Sequence, residues 1–396
     1  MKAMKLITLL LLLLSLGAFA QTGTYNQGGP AQKNYYCEIP FENIYGKLFL
    51  NVELAGKKHR FLFDTGSPVF VTPELAAGLK AKVLTKAAST DAYMHTDTSI
   101  VVQVNGIKLG DITFNGIPAI SASPDFYKCY GIDGVIGSNL LRKSIVSIDN
   151  KRHVIILTDQ ADKLHLDPKN SMPFSFKEGP QSDPVIHMVM ANKLDRNNPI
   201  NINIPFDTGD EDFIRIGDNE VSQLNKYSVF DTLAKGYGAS ALSYGGLQDA
   251  ATKYLYKVAP FMVGNAQFYN LTIESNKETI PAIGSKLLNY GTVTLDYINE
   301  KFYFDAYTTV NDLTEKHWPV DPAFVNNKFI IGMVWDQARL LLKPGEQIMA
   351  VNDKDCSNIT MCDLLQSGPG LHADDLATLT LKNAKGEIRK VTIRRR

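Results

Sequence analysis

The chain has 396 residues, 44% hydrophobic and 21% charged, and its 41 basic and 41 acidic side chains cancel. That length exceeds one ordinary domain and predicts two or three compact units with sizeable cores. The balanced charge leaves no electrostatic footprint for nucleic acid, which is set aside as a partner.

In chain order the first feature is a leader. Lys2 and Lys5 precede an apolar run over 6–16, and Ala18-Phe19-Ala20 stands before Gln21. A basic start, a short apolar stretch and an Ala-x-Ala site predict a secretory signal peptide over 1–20. Gln21 is not a cysteine, so no lipid anchor is expected, and no later apolar stretch reaches the roughly 20 residues of a spanning helix. The expectation is an exported protein, periplasmic or secreted, with no stable membrane anchor. In such a compartment Cys37, Cys129, Cys356 and Cys362 can form disulfides, with three pairings open. Their spacing fits no zinc motif and no His-Glu-x-x-His occurs, so neither a metal nor another cofactor is expected. His95 and His187 are read as surface or satisfied core histidines.

Beyond the leader, β-prone runs at 48–54 and 59–63, joined at Ala55-Gly56-Lys57-Lys58, predict a hairpin that ends on Asp64-Thr65-Gly66. A short helix over 73–79 follows, then strands at 100–104 and 112–114. Next comes Gly137-Ser138-Asn139-Leu140-Leu141, with strands at 146–149 and 153–157. The stretch 159–173 is polar, carries Pro168 and Pro173, and reads as a connection. After it the layout repeats. Runs at 185–190 and 200–206 deliver Asp207-Thr208-Gly209, and Gly284-Ser285-Lys286-Leu287-Leu288 follows, with strands at 268–273, 293–296 and 301–304. The aspartates at 149 and 296 stand equally far beyond Gly137 and Gly284. An internal repeat in this order predicts two all-β lobes, 33–160 and 172–312.

Two carboxylates held close together cannot both ionise cheaply, so they share a proton, one activating a water while the other protonates or polarises a carbonyl. Gly66 and Gly209 allow a tight turn beside each carboxylate, and Thr65 and Thr208 can lock the two loops together by hydrogen bonds. One lobe supplies only one carboxylate, which is why the motif occurs twice.

These residues resemble the retropepsin-like and pepsin-like aspartic peptidases. Their pattern is apolar-apolar-Asp-Thr-Gly-Ser followed by apolar-apolar-Gly, here Val135-Ile136-Gly137 and Ala282-Ile283-Gly284, and the resemblance covers about 33–310. It implies a mainly β, pseudo-two-fold bilobal unit of two retropepsin-like barrels within one monomer. Asp64 and Asp207 are then the catalytic pair, supported by Thr65, Gly66, Ser67, Thr208 and Gly209, and a peptide or protein is the substrate. A flap is implied over the cleft, with candidates at Ala92-Tyr93-Met94 and in the Gly-rich stretch 237–246, which begins at Tyr237. Ser67 is expected to hydrogen-bond its carboxylate. At the matching place in the second copy stands Asp210, followed by Glu211 and Asp212. Asp210 is expected either to turn outward or to shift the activity optimum upward in pH.

From about Trp318 the character changes. Strand-like runs begin at Ile330, end at Asn352 and recur at 376–381 and 389–393. The segment 318–396 resembles a PDZ-like α+β domain of bacterial protease type. Ile331-Gly332-Met333 fits the apolar-Gly-apolar loop that holds a peptide carboxylate, and 342–352 fits Leu-x-x-Gly-Asp-x-Ile-x-x-Val-Asn, with Glu346 for Asp and Asp353 for Gly. Such a domain captures a peptide C-terminus by strand addition, which implies substrate capture or regulation. The leading expectation is an exported aspartic endopeptidase. The alternative is a catalytically silent peptide- or protein-binding protein on the same fold. No Gly-x-Ser-x-Gly elbow supports a serine hydrolase.

Overall fold

The structure, a computed structural model, describes residues 25–176, 181–240, 242–243, 246–368, 370–371 and 374–396. The predicted leader over 1–20 lies outside them, as does part of the Gly-rich stretch 237–246. The protein is mainly β.

The first repeat starts with three consecutive antiparallel strands, Tyr36–Ile44, Lys47–Leu54 and Lys57–Asp64. Their two-residue turns hold both residues at positive φ, 48° and 85° at Tyr45-Gly46 and 50° and 75° at Ala55-Gly56. That turn conformation matches the twist of a hairpin. Along Lys47–Leu54 the pleat sends Leu48, Leu50, Val52 and Leu54 into the main core and Phe49 to the opposite face, into a second apolar cluster with Leu62 and Phe70.

Asp64 sits at the end of its strand, where Gly134–Gly137 runs parallel to it and Gly137 registers with Asp64. In the second repeat Pro184–Met190 and Ile200–Asp207 form the hairpin, and Ala282–Gly284 runs parallel to it with Gly284 in register with Asp207. The repeated downstream glycines have a steric cause. A Cβ on Gly137 would lie 2.3 Å from the Ser67 carbonyl oxygen, and one on Gly284 2.3 Å from that of Asp212. No side chain fits beneath either loop.

The two repeats share a sheet. Ile145–Asp149 pairs with Gly291–Asp296, and outward from this pair lie Val154–Thr158 with Tyr36–Ile44 on one side and Lys301–Ala306 with Ser171–Phe176 on the other. Ser147 and Thr294, the same position in the two copies, face each other in that pairing with their buried hydroxyls 2.8 Å apart. The polar connection contains the short 3-10 turns Ala161–Leu164 and Pro168–Asn170.

Each repeat also carries a long hairpin, Lys82–Thr90 with Thr96–Val104 and Phe230–Gly238 with Ala251–Val258. The strands Lys82–Thr90, Phe230–Gly238 and Ala251–Val258 have no counterpart in the elements expected from sequence. Lys82–Thr90 is exposed over most of its length, so it has no buried apolar alternation to reveal it; its backbone ladder makes it a strand.

The C-terminal segment folds around its own apolar cluster, which includes Phe329, Ile331, Ile348, Leu379, Leu381 and Ile393. Its strands are Val320–Val325, Lys328–Trp335, Gln347–Val351, Leu376–Lys382 and Ile388–Arg394. The helix Met361–Ser367 starts at a capping box, in which Thr360 and Asp363 satisfy each other's backbone N–H. Two links fix the segment to the repeats. Cys129 and Cys362 form a disulfide, leaving Cys37 and Cys356 free, and Lys328–Trp335 pairs antiparallel with Phe230–Gly238.

Candidate active site

The parallel strands bring the two Asp-Thr-Gly loops tip to tip. Thr65 Oγ1 donates to the Phe206 carbonyl at 2.7 Å and accepts the Thr208 N–H at 3.0 Å. Thr208 Oγ1 returns both bonds, donating to the Phe63 carbonyl at 3.1 Å and accepting the Thr65 N–H at 3.1 Å. Both threonines are fully buried. Four reciprocal bonds with no water to compete fix the separation of the loops. Gly66 and Gly209 donate to the Oδ1 of their own aspartates at 2.9 Å each. A Cβ on Gly66 would lie 2.4 Å from Asp207 Cγ, and one on Gly209 2.3 Å from Asp64 Oδ2. Each carboxylate therefore rests against the glycine of the opposite loop, a packing that brings Asp64 and Asp207 together.

Burial raises the Asp64 carboxyl well above the usual carboxylate range, and the neighbouring Asp207 charge and the hydrogen bond between the two groups raise it further. The Ser67 hydroxyl does not reach its carboxylate as expected. It donates to the Pro68 carbonyl at 3.0 Å, leaving the Gly66 N–H as the local donor to Asp64.

Around Asp207 the sequence reading needs two corrections. Asp210 does not turn outward; it is buried at 6% exposure. What holds it there is Arg215, which sequence reasoning missed. Its Nη1 lies 2.6 Å from Asp210 Oδ2, its Nη2 3.1 Å from Asp207 Oδ2, and its Nε donates to the Ile280 carbonyl at 3.0 Å. Burial still pushes Asp210 up to about 7, against the pull of Arg215 downward. A second cation, Lys47, contacts the Gly209 carbonyl and pairs with Glu211. The sequence did carry a signal for Arg215: a lone basic residue in the apolar run Phe213-Ile214-Arg215-Ile216, just after three acids.

The pair lies in a cleft of about 1100 Å³. Aromatic and aliphatic side chains of the first repeat line one part, among them Phe49, Phe70, Ile120 and Tyr130, while Arg215, Lys253 and Glu274 line the part formed by the second. Both flap candidates reach it, the first through Ala92 and Tyr93 and the Gly-rich stretch through Ser240 and Leu242; the Tyr93 hairpin is the one tied across the cleft. The tip of its hairpin is tied by Asp91, whose Oδ1 accepts the N–H groups of Tyr93 and His95 at 2.9 Å. The Ala92 carbonyl accepts the Ile280 N–H at 2.9 Å and the Thr279 hydroxyl at 2.7 Å, so the tip bridges to the second repeat. Tyr237 is 51% exposed and outside the lining. His95 and His187 are held by Asp91 and Asn203.

Ile331, Gly332 and Met333 are buried in the C-terminal segment, away from the pair. Their backbone is already engaged: Ile331 N–H donates to the Glu346 carbonyl at 2.8 Å, and the Gly332 carbonyl accepts the Ala239 N–H at 3.0 Å. Met333 pairs with Gly238.

A family model described as aspartyl protease matches residues 50–140, which include the first triplet and Gly137. No curated protein sequence matches the chain. Solved structures with a similar course include basic 7S globulin from soybean, 11% identical with a TM-score of 0.38, aligned over 68% of this chain and 94% of that one. Conglutin gamma, a basic 7S globulin from lupine seeds, is 10% identical with a TM-score of 0.38, over 70% and 96%. A retropepsin-like aspartic protease from Rickettsia conorii is 22% identical with a TM-score of 0.24, over 31% and 91%.

Proposed function

We propose that the protein is an aspartic endopeptidase that hydrolyses peptide bonds with a water activated between Asp64 and Asp207. The observation that carries this reading is the contact of the two carboxylates across the reciprocal Thr65 and Thr208 bonds. A pair that shares one proton can take a proton from water with one carboxyl while the other gives its proton to the scissile carbonyl oxygen. The water oxygen then bonds to the carbonyl carbon, and collapse of that intermediate, with proton return to the nitrogen, releases an amine and a carboxylate. No covalent enzyme intermediate and no metal enters these steps.

In this reading 33–160 and 172–312 are the two lobes of a pseudo-two-fold monomer, Asp64 and Asp207 are the catalytic residues, and the hairpin bearing Tyr93 is the flap. The family match over 50–140 supports it. The segment 318–396 is proposed as a PDZ-like module, supported by its separate apolar cluster. Capture of a peptide C-terminus at Ile331-Gly332-Met333 requires residues 238 and 239 to leave that strand. Export to the periplasm or medium is proposed from the sequence over 1–20, and the Cys129–Cys362 disulfide is consistent with it.

The experiment is incubation of the purified chain with a protein-derived peptide mixture across the acidic to neutral range, with mapping of newly formed termini. Recurrent internal cleavage is expected. A second reading, a silent peptide-binding protein, draws on the ion pair that Arg215 places on Asp207; it predicts binding of the same peptides without new termini.

A further inference from the structure

The two repeats serve as controls for each other. Ser138 N–H donates to the Ser67 carbonyl at 2.9 Å and Ser285 N–H to the Asp210 carbonyl at 2.7 Å, so Asp210 occupies the place of Ser67. Val135 registers with Phe70 and Ala282 with Arg215, so Arg215 occupies the place of Phe70. The surroundings of Asp64 thus include an apolar ring where those of Asp207 include a guanidinium. Nothing in the symmetry of the loops requires this difference.

We propose that Arg215 is a positioning residue of the pair: bridging Asp207 and Asp210 and anchored to Ile280 beneath the flap tip, it holds Asp207 as the ionised member and leaves the shared proton on Asp64. The proposal rests on the peptidase reading and assigns the roles within it. Asp207 accepts the proton of the attacking water, and Asp64 gives its proton to the carbonyl oxygen. Arg215 touches the Asp207 carboxylate but neither the water nor the scissile carbonyl in these steps.

The guanidinium is built into this place. It is 8% exposed, and its planar fork suits two carboxylates at once, which a lysine ammonium cannot reproduce. Its Nε bond to the Ile280 carbonyl is matched by the Ile280 N–H bond to Ala92, so one residue touches both the flap tip and the cation of the pair. Other charged groups line the same cleft. Lys47 is spent on Glu211 and the Gly209 carbonyl. Lys253 lies 4.0 Å from Glu274. The Asp212 side chain is exposed, and Asp183 accepts from Ser138 and Gln181. Tyr93 reaches in from the flap, its phenol held neutral by burial. Of the described cations, Arg215 alone is paired with Asp207. The raised Asp64 carboxyl agrees with a proton kept on that side.

The test uses the full chain and four proteins: wild type, Arg215→Met, Arg215→Lys and Asp210→Asn. Carboxyl titrations are followed by NMR of carbon-13-labelled aspartate, assigned with Asp64→Asn and Asp207→Asn, beside the pH dependence of kcat/KM. Loss of the cation lets the doubly protonated pair persist to higher pH, so in Arg215→Met the Asp207 titration and the acid limb move up by about 1–3 pH units. Arg215→Lys keeps a charge and recovers most of that shift. Asp210→Asn removes a carboxyl that is already neutral over the acid limb and leaves that limb in place, which separates the contact on Asp207 from the one on Asp210. A shift that is large in the Met variant and small in the Lys variant is a signature that loss of packing does not give. If Arg215→Met does not fold, Arg215→Gln, which also lacks the charge, takes its place. The proposal is overturned if Asp207 titrates alike in the uncharged variant and wild type, or if Asp64 loses its proton before Asp207 in wild type. The titrations need no turnover, so failure of the peptidase reading, seen as absence of cleavage by wild type, is a separate result.

Discussion

At the scale of single residues, Thr65 and Thr208 show how a small side chain sets the geometry of a site. Each hydroxyl both donates and accepts across the junction, and both lie where water does not reach. Thr208→Val keeps the shape but strands the Phe63 carbonyl and the Thr65 N–H. The expected loss is about 1–3 kcal/mol of stability, measured by denaturant unfolding, with a larger loss of turnover than of substrate affinity. Thr208→Ser, which keeps the hydroxyl, is expected to restore most of both. Asp210 makes a prediction about pH. Burial pushes its folded carboxyl up to about 7, above the ordinary value of 3.8. A raised pKa means the folded chain holds that proton more tightly than the unfolded chain. Its contribution is therefore complete below about 4 and fades as pH rises through about 7. Melting temperature should fall between pH 5 and 8 in wild type and fall less in Asp210→Asn. An equal slope in both proteins would remove Asp210 as the cause.

At the scale of elements, the sequence reveals what steric necessity enforces and conceals what tertiary pairing decides. The hairpins that deliver Asp64 and Asp207 were legible from their β-prone runs, and Gly137 and Gly284 from the repeated block they open, but the short parallel strands that bear them were not, since their pairing is tertiary. Arg215 was not, because the second loop carries two extra residues. At the same offset from its triplet, Phe213 stands where Phe70 stands in the first copy, and so conceals the cation behind it. The inward turn of Asp210 was hidden for the same reason. The hairpin that bears Tyr93 was named at its tip and in part of its second strand, but its first strand escaped because it is largely exposed. Its tip carries a prediction. Thr279→Val deletes one of the two bonds to the Ala92 carbonyl and leaves the Ile280 N–H in place. One hydrogen bond of about 0.5–1.5 kcal/mol corresponds to a rise in KM of about 2- to 10-fold with kcat nearly kept. An unchanged KM would mean that this contact does not hold the flap over substrate.

At the scale of the whole molecule, two contacts tell against a C-terminal segment that swings freely. Cys129 lies in the helix Asp125–Tyr130 beneath the cleft wall and Cys362 in the helix of the C-terminal segment. Their bond closes a loop of 233 residues, long enough for the chain-entropy account to assign it about 5 kcal/mol. On the other side, Trp335 and Met333 pack with Ala234 and Leu255 of the second long hairpin. Sequence patterns mark a change of character at this segment, which has its own apolar cluster, but do not show that the strand bearing Ile331-Gly332-Met333 is completed by residues 236–238 of the same chain, since edge pairing leaves no mark in local periodicity. Through these links each repeat is joined to the C-terminal segment, and the cleft lies between the anchors.

The central claim, that Asp64 and Asp207 act as one catalytic pair, is tested most directly by the turnover of three purified chains on one mapped peptide. Wild type is expected to cleave it, and Asp64→Asn and Asp207→Asn each to lose about 100- to 10,000-fold in kcat/KM while remaining folded. The double variant should be no worse than either single one, because the two carboxyls work as a unit. Undiminished turnover in either folded single variant would contradict the account.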